Sequence, residues 1–220
     1  MTGHLVEIAG PAGAGKTTLV ANLLAQDPGT CLGLHSDRLG LGIALLSTTP
    51  ALAAARLSSG GRWWTRAEIR SLTYLRAWRG TAMRNHPGGL VLLDHGPVFR
   101  LAAVTALGPP MTDTAAFRRW WSRTAEAWAS LLDQVVWLDA PDEVLLERIN
   151  GRVRDHRVRN VAVAEVNRFL ASYRRAYGGA LELMAREGVP VLHVDTSRHS
   201  PDELTQIVSR ALPRPAGRSG

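Results

Sequence analysis

The chain has 220 residues and a formal net charge of +7, and this length predicts one domain with room for a substantial core. The single cysteine, Cys31, excludes an internal disulfide and a zinc cluster, and no segment reaches the roughly 18 apolar residues of a membrane span. No secretory signal precedes the first strand, so we expect a cytoplasmic protein without a membrane partner. Zinc-knuckle and RNP motifs are missing, so we expect the basic excess to bind phosphates of small substrates rather than nucleic acid.

Five short apolar segments predict β-strands that alternate with helical segments. This alternation indicates βαβ units and a parallel sheet covered by helices on both faces, which is an α/β fold. The predicted strands are residues 4–9, 30–36, 90–94, 135–139 and 189–195. Residues 213–220 (PRPAGRSG) predict a flexible tail after a single domain over residues 1–212.

The first strand runs into residues 10–17 (GPAGAGKT), which fit the phosphate-binding pattern GxxxxGK[ST], and a helix is predicted over residues 17–26. Lys16 is the one lysine among 26 basic residues. Its slim ammonium can reach the β- and γ-phosphates of a nucleotide such as ATP inside a loop of backbone amides, where the wide fork of arginine cannot. The amides and the helix N-terminus together favour an anion. The predicted nucleotide-binding residues here are Gly10, Ala12, Gly13, Ala14, Gly15, Lys16, Thr17 and Thr18, with the Thr17 hydroxyl on Mg²⁺.

Asp37 ends the second predicted strand and is followed by Arg38. In a parallel sheet whose phosphate loop follows the first strand, this position faces the γ-phosphate from the acceptor side. A carboxylate there can accept the proton of an attacking hydroxyl, and Arg38 can bind an anion of the acceptor. An ordinary turn or N-cap aspartate is the alternative interpretation.

Two long helices carry most of the tryptophans. The sequence Thr65-Arg66-Ala67-Glu68 is a capping box that begins a helix over residues 65–84, and a second helix is predicted over residues 113–133. Apolar residues recur in both at three- and four-residue spacing, which favours packing in the core. The alternative is that one or two rings, such as Trp78, line an acceptor pocket, because both helices connect strand ends where such pockets lie.

Asp94 follows the apolar run Leu90-Val91-Leu92-Leu93 at the end of the third predicted strand. Four apolar residues and an acid form the Walker B pattern. Beside a phosphate loop, the acid is predicted to hold Mg²⁺ directly or through water, whereas the alternative is a strand-terminal turn aspartate.

Five arginines lie between residues 148 and 159, after a helix that begins near Pro141. They would repel one another without an anion to bind, so we predict a mobile lid over about residues 150–160. Arginines that such a lid brings in, including Arg152, can stabilise charge on the transferred group. A solvated basic turn is the alternative.

These segments together resemble the P-loop kinases of the nucleoside and nucleotide group, most closely those similar to thymidylate kinase. The resemblance spans nearly the whole chain and is strongest over residues 10–18, 135–152 and 189–200. It implies a five-stranded parallel sheet in the order 2-3-1-4-5 with an arginine-rich lid. It also implies that Arg148 and Arg152 contact ATP, and that the loop ending at Arg198 lies against the adenine. Dimers are common among such kinases, so a homodimer is an expected assembly.

The departures from the thymidylate kinases bear on the acceptor. Ala12 stands where those enzymes usually carry an aspartate, Ser36-Asp37-Arg38 replaces their Arg-Glu-Pro, and Asp94-His95-Gly96 replaces their Asp-Arg-Tyr. Deoxynucleoside kinases have Glu-Arg-Ser at the last position, and Arg100 can serve in place of that arginine. An acid such as Asp37 is similar to P-loop kinases that phosphorylate a hydroxyl, including antibiotic-modifying ones.

The sequence therefore predicts a kinase that uses ATP and Mg²⁺ to phosphorylate a hydroxyl or phosphate of a nucleoside-like, nucleotide-like or natural-product acceptor. Kinases of an antibiotic or sugar hydroxyl are the first alternative, and a regulatory ATPase without an acceptor is the second. An ABC-type ATPase fits less well, although residues 57–61 (LSSGG) resemble its signature. That segment lies about forty residues beyond the glycine loop, too close for the helical subdomain of such proteins, and His95 replaces the acid expected after Asp94.

Overall fold

A computed structural model of the chain describes residues 3–34, 40–48, 64–84, 89–108, 112, 114–151 and 163–213. Several predicted features lie outside these residues. They are Asp37, Arg38, Arg152, most of the lid, the segment 57–61 and residues 214–220 of the tail.

Five strands form one sheet in the order β2-β3-β1-β4-β5, and all neighbouring strands are parallel. The strands are β1 (His4–Ala9), β2 (Cys31–Leu32), β3 (Leu90–Asp94), β4 (Gln134–Asp139) and β5 (Val191–Asp195). This architecture and strand order confirm the predicted fold. Ile8 pairs with Asp94 and Asp139 pairs with Asp195, so the carboxyl ends of the four longer strands meet at one edge.

Strands β1 and β3 have the predicted bounds, and β4 and β5 differ from the prediction by one and two residues at their first residue. The second predicted strand, 30–36, was too long within the described residues. It keeps only Cys31–Leu32, because Gly33 turns into the left-handed region with φ 74°. As an edge strand, β2 pairs with β3 alone and leaves both residues exposed.

Eight helices cover the sheet in the described part of the chain. They are α1 (Lys16–Gln26), α2 (40–48), α3 (Arg66–Arg84), α4 (Pro97–Leu107), α5 (Ala115–Ala129), α6 (Asp142–Asn150), α7 (Val163–Arg186) and α8 (Pro201–Ala211). The predicted capping box of α3 is present, since the Glu68 N–H donates to Thr65 Oγ1 at 3.3 Å and the Thr65 N–H donates to Glu68 Oε2 at 2.7 Å. Helix α5 ends at Ala129 instead of the predicted residue 133, because the backbone turns toward β4 through 130–133.

Alternate residues of the strands face two separate cores, as the period of a strand requires. Leu5, Val91 and Val135 pack against a layer that includes α4, α5 and α7. Val6, Leu92 and Val136 pack on the opposite face against α1, α6 and α8. The core interpretation of the tryptophans holds for Trp64 and Trp128, which are buried, and Trp128 Nε1 donates to the Leu75 carbonyl at 3.2 Å. None of the helices in the described residues is long and apolar enough to cross a bilayer.

Candidate active site

The phosphate loop connects β1 to α1 at the carboxyl edge of the sheet. Gly13 has φ 87°, and a Cβ at this position would lie 2.7 Å from the Leu145 carbonyl oxygen of α6. The loop therefore packs against α6 at a distance that only glycine allows. Gly15 is the N-cap of α1, and no described side chain caps its first turn. The amides of that turn are thus available to an anion.

Lys16 is folded back onto its own loop. Its Nζ donates to the carbonyl oxygens of Gly10 at 2.8 Å and Pro11 at 2.9 Å. The hydroxyl of Tyr177, which is buried on α7, donates to the same Gly10 oxygen at 3.3 Å. The lysine is therefore held at the mouth of the loop, on the side that faces α7.

The loop separates two cavities. The larger, which we call the acceptor cleft, has a volume of about 800 Å³ and lies between the loop, α3, α4 and α7. Its lining includes the predicted site residues Lys16, Thr17, Asp94, Arg100 and Trp78, as well as Glu68, Tyr74, His95, Phe99 and Tyr173. The smaller, the donor pocket, has a volume of about 270 Å³ and lies over the start of α1. Its lining includes Gly13, Ala14, Gly15, Thr18, Arg148, Thr196 and His199.

Asp94 lies at the end of β3 with one carboxylate oxygen directed into a buried position. Its Oδ1 makes no hydrogen bond among the described residues and lies 3.3 Å from His95 Nδ1. A buried carboxylate oxygen that makes no hydrogen bond fits a cation ligand, and Thr17 lines the same cleft. These two side chains therefore form a candidate position for Mg²⁺.

His95 is the one non-glycine residue in the described chain with a positive φ, 62°. Its ring meets Phe99 edge-on at 4.4 Å between centroids. Burial is the main cause that lowers its pKa, and the charges of Lys16 and Arg100 lower the pKa further, while Asp94 opposes them. The imidazole is therefore mainly neutral at pH 7 and presents a hydrogen-bonding ring to the cleft.

Arg100 projects from α4 onto two aromatic rings of α3. Its Cζ lies 4.7 Å from the Tyr74 ring centroid and 4.5 Å from the Trp78 ring centroid, while those centroids are 5.0 Å apart. The three distances form a nearly equilateral triangle, so the guanidinium rests over the two rings and is not sandwiched between them. Its Nε is buried and has no hydrogen-bond partner among the described residues. Burial lowers the pKa of Arg100 to about 10, which leaves it charged at neutral pH.

Arg148 connects two sides of the donor pocket by hydrogen bonds. Its guanidinium donates to Thr196 Oγ1 and to the Thr196 carbonyl, both at 2.9 Å, and reaches the Gly13 carbonyl at 3.5 Å. Arg198 differs, because it is 78% exposed and pairs with Asp195 at 2.9 Å. His199, and not Arg198, lines the donor pocket.

A family model for an AAA domain, AAA_33, matches residues 5–176 of the chain. The chain belongs to this family. Two solved structures are similar to the AAA domain at identities that show the fold alone. The YorR protein of Bacillus subtilis, solved in complex with phosphorylated GDP, is 16% identical, with a TM-score of 0.52 and coverage of 94% of each chain. The deoxyadenosine kinase of M. mycoides, solved with bound dATP, is 15% identical, with a TM-score of 0.55 and coverage of 94% of this chain and 98% of that chain. No curated protein matches by sequence.

The fold of this AAA domain is that of the P-loop kinases, as predicted. The structure brings most of the predicted site residues that it describes to the phosphate loop and its two cavities. The roles of Asp37, Arg38 and Arg152 stay predictions, because these residues lie outside the described part of the chain. The closer likeness to thymidylate kinases also stays a prediction.

Two residues of the AAA domain that sequence reasoning missed are Glu7 and Arg174. Glu7 is an acid in the middle of β1 with no exposed surface. An acid inside an otherwise apolar central strand is the signal that could have revealed it. Arg174 of α7 donates to Asp139 Oδ2 at 3.0 Å and to the Ala140 carbonyl at 2.8 Å, and also pairs with Asp142. These contacts raise the pKa of Arg174, chiefly through Asp139, and fasten α7 to the end of β4.

Proposed function

We propose that the chain is a phosphotransferase that moves the γ-phosphoryl group of ATP to a small-molecule acceptor. The acceptor cleft is the observation that carries this proposal. A nucleotide-binding module without a second substrate has no need of a cavity of about 800 Å³ beside its phosphate loop. This cleft joins Lys16 and Asp94 to a wall that includes Arg100 and Trp78.

The described residues fit a bound nucleotide and its metal. The loop from Gly10 to Thr18 and Arg148 would hold ATP, and Thr17 with Asp94 would hold Mg²⁺. When bound, ATP supplies the phosphoryl group and Mg²⁺ neutralises part of its charge. Lys16 would exchange the Gly10 and Pro11 carbonyls for phosphate oxygens. This places a fixed positive charge where negative charge develops.

The acceptor would enter beside α3 and α4. Arg100 offers a charged hydrogen-bond donor there. Its guanidinium rests on the Trp78 ring, which also lines the cleft. Asp37 would orient or deprotonate the acceptor, and Arg38 would bind an anion on it. Arg152 would approach with the lid and stabilise charge on the transferred group. All of these residues would belong to a single domain over residues 1–212. We propose a nucleoside-like, nucleotide-like or natural-product acceptor, as in kinases similar to thymidylate kinase, and a homodimer as the assembly.

The test is acceptor-dependent ADP release. Purified full-length protein with ATP and Mg²⁺ is assayed against single nucleosides, nucleotides, sugars and hydroxylated natural products. We expect at least one compound to raise ADP release about tenfold or more over water, because orienting the attacking oxygen lowers the barrier. The ³¹P spectrum of the product then identifies the acceptor group. A hydroxyl acceptor gives a phosphate ester, whereas a phosphate acceptor gives a phosphoanhydride.

An Asp37→Asn variant, assayed beside the wild type, tests the predicted role of Asp37 toward the acceptor. We expect it to slow transfer while ATP binding changes little, since the substitution removes a proton acceptor and keeps the shape. ADP release that no compound stimulates would favour the regulatory ATPase. A variant that loses thermal stability alone would assign Asp37 to a turn.

A further inference from the structure

Helix α4 begins without a capping side chain of its own. Its N-cap is Gly96, and its first helical residue is Pro97, which has no N–H. The donors that remain in the first turn are the N–H groups of Val98 and Phe99. A buried helix end whose donors lack acceptors costs free energy, so these two groups require partners from elsewhere in the fold.

Glu7 of β1 provides both acceptors. The Val98 N–H donates to Glu7 Oε2 and the Phe99 N–H donates to Glu7 Oε1, each at 2.8 Å. The next N–H, that of Arg100, donates to the Gly96 carbonyl at 3.0 Å inside the helix. One carboxylate, 91 residues earlier in the chain than Val98, therefore accepts from both Val98 and Phe99.

Gly96 is required for this contact. A Cβ on Gly96 would lie 2.6 Å from Glu7 Cδ and 2.7 Å from Glu7 Oε2. The backbone of Gly96, at φ −71°, is open to any residue, so the obstacle to a side chain there is the close approach of Glu7. Glu7 and Gly96 thus form a matched pair that sets the height of α4 over β1.

The turn that this pair holds carries the acceptor side of the cleft. Asp94 and His95 precede Gly96 directly, and Arg100 follows within the next turn of α4. His95 takes a positive φ just before the capped helix. We propose that Glu7 is a positioning residue, which holds the start of α4 so that Asp94, His95 and Arg100 face the acceptor cleft in one arrangement.

Electrostatics agree with this role. Burial raises the pKa of Glu7 to about 7, while its two backbone hydrogen bonds and the charge of Arg100 lower it. Conversely, Glu7 raises the pKa of Arg100. The carboxylate and the guanidinium therefore stabilise each other's charge. They do so at a distance, since no hydrogen bond or ion pair among the described residues joins them directly.

The test uses two variants that disturb the pair from opposite sides. Glu7→Gln keeps the shape but presents an amide N–H to one of the two backbone donors. Gly96→Ala keeps the Glu7 charge and displaces its carboxylate. Full-length protein labelled with 5-fluorotryptophan is measured by ¹⁹F NMR, with resonances assigned by single Trp→Phe replacements. We expect the Trp78 resonance to move in both variants, because Arg100 rests on that ring. The Trp64 resonance, from the residue just before the α3 capping box, should move less.

The kinetic arm rests on the proposed function. With the acceptor that stimulates ADP release most, we expect both variants to lower kcat/KM for the acceptor about 10- to 100-fold, as misplacement near 1 Å does. The KM for ATP should change less than about threefold. If Glu7→Gln does not fold, Gly96→Ala decides alone.

A shift of Trp78 in both variants with a lowered kcat/KM for the acceptor supports the positioning role. Unmoved Trp78 resonances, or an unchanged kcat/KM for the acceptor beside a lower melting temperature, overturn it and leave Glu7 a helix cap of structural value only. If no compound stimulates the wild-type protein, the kinase proposal fails, whereas the ¹⁹F arm still decides whether Glu7 positions Arg100.

Discussion

The donor pocket and the acceptor cleft are built in different ways although they share one loop. The donor pocket is lined partly by consecutive residues of the phosphate loop, Gly13, Ala14 and Gly15, and Arg148 joins Gly13 to Thr196 on its other side. The acceptor cleft is made of side chains from α3, α4 and α7, which lie far apart in the chain. A site of local backbone can be recognised as a sequence pattern, whereas a site of distant side chains depends on how the helices pack. The loop of the donor pocket is therefore visible in the sequence, whereas the packing that assembles the acceptor cleft is not.

Replacement of Lys16 breaks the one element that both sides share. We expect Lys16→Ala to lower turnover by about 10³-fold or more, because the loop loses its fixed charge on the transferred group. The melting temperature should stay within a few degrees of the wild type, since the hydrogen bonds of the ammonium to the Gly10 and Pro11 carbonyls stay within the loop. Lys16→Arg serves as the control and should also fail, because the wide fork does not fit the loop. Near-normal turnover in either variant contradicts the role of Lys16.

The buried acid beneath the acceptor cleft predicts a pH dependence of stability. The pKa of Glu7 rises from 4.5 to about 7 on folding, so the folded state binds more protons than the unfolded state between these values. The free energy of unfolding should therefore fall, by about 3 kcal/mol from this group, as pH rises from 4.5 to 7. His95, whose pKa is lowered, acts in the opposite direction. Urea unfolding gives the free energy of unfolding of the wild type and of Glu7→Gln at each pH, and the difference between the two isolates the Glu7 contribution. A difference that does not change with pH would refute it.

Arg100→Met sharpens the comparison on the acceptor side. The substitution keeps an apolar side chain over Tyr74 and Trp78 but removes the buried, charged donor. We expect the acceptor KM to rise about 10- to 100-fold, which corresponds to one hydrogen bond to a charged group, while the KM for ATP stays within about threefold. Steady-state kinetics with both substrates varied gives the two constants. An equal rise in both would show that the two sides are not separable.

Arg148→Met is the mirror experiment on the donor side. The loss of its contacts with Thr196 and Gly13 should raise the dissociation constant of ADP about tenfold. The acceptor KM should not move. Titration with a fluorescent ADP analogue measures the affinity. A change confined to the acceptor KM would mean that Arg148 acts on the acceptor and not on the nucleotide.

Arg198→Ala should give the smallest effect. Arg198 is 78% exposed and pairs only with Asp195 among the contacts described, and exposed pairs contribute little. We expect the ADP affinity to change by less than about threefold. A larger loss, measured in the same titration as for Arg148→Met, would mean that Arg198 turns toward the nucleotide when it binds.

Sequence reasoning recovered the fold because apolar strands, caps and the glycine loop are local signals. Thr65 and Glu68 were recognised as a capping box three residues apart, and the structure has both hydrogen bonds. The same reasoning could not see that Glu7 caps α4, because the two partners are 91 residues apart. It could name Arg100 and Trp78, but not that the guanidinium rests on the rings of Tyr74 and Trp78, because that contact depends on the packing of α3 against α4.

The isolation of Lys16 has a practical consequence. It is the one lysine in the sequence, so the chain carries a single ε-amine at the mouth of its phosphate loop. An acylating reagent for amines can mark one side chain per molecule, apart from the terminal amine. A nucleotide in the loop would shield that amine, and intact mass spectrometry would then count shielded and acylated molecules directly. The protein thus carries its own occupancy reporter, with no tag or dye to disturb the cleft beside it.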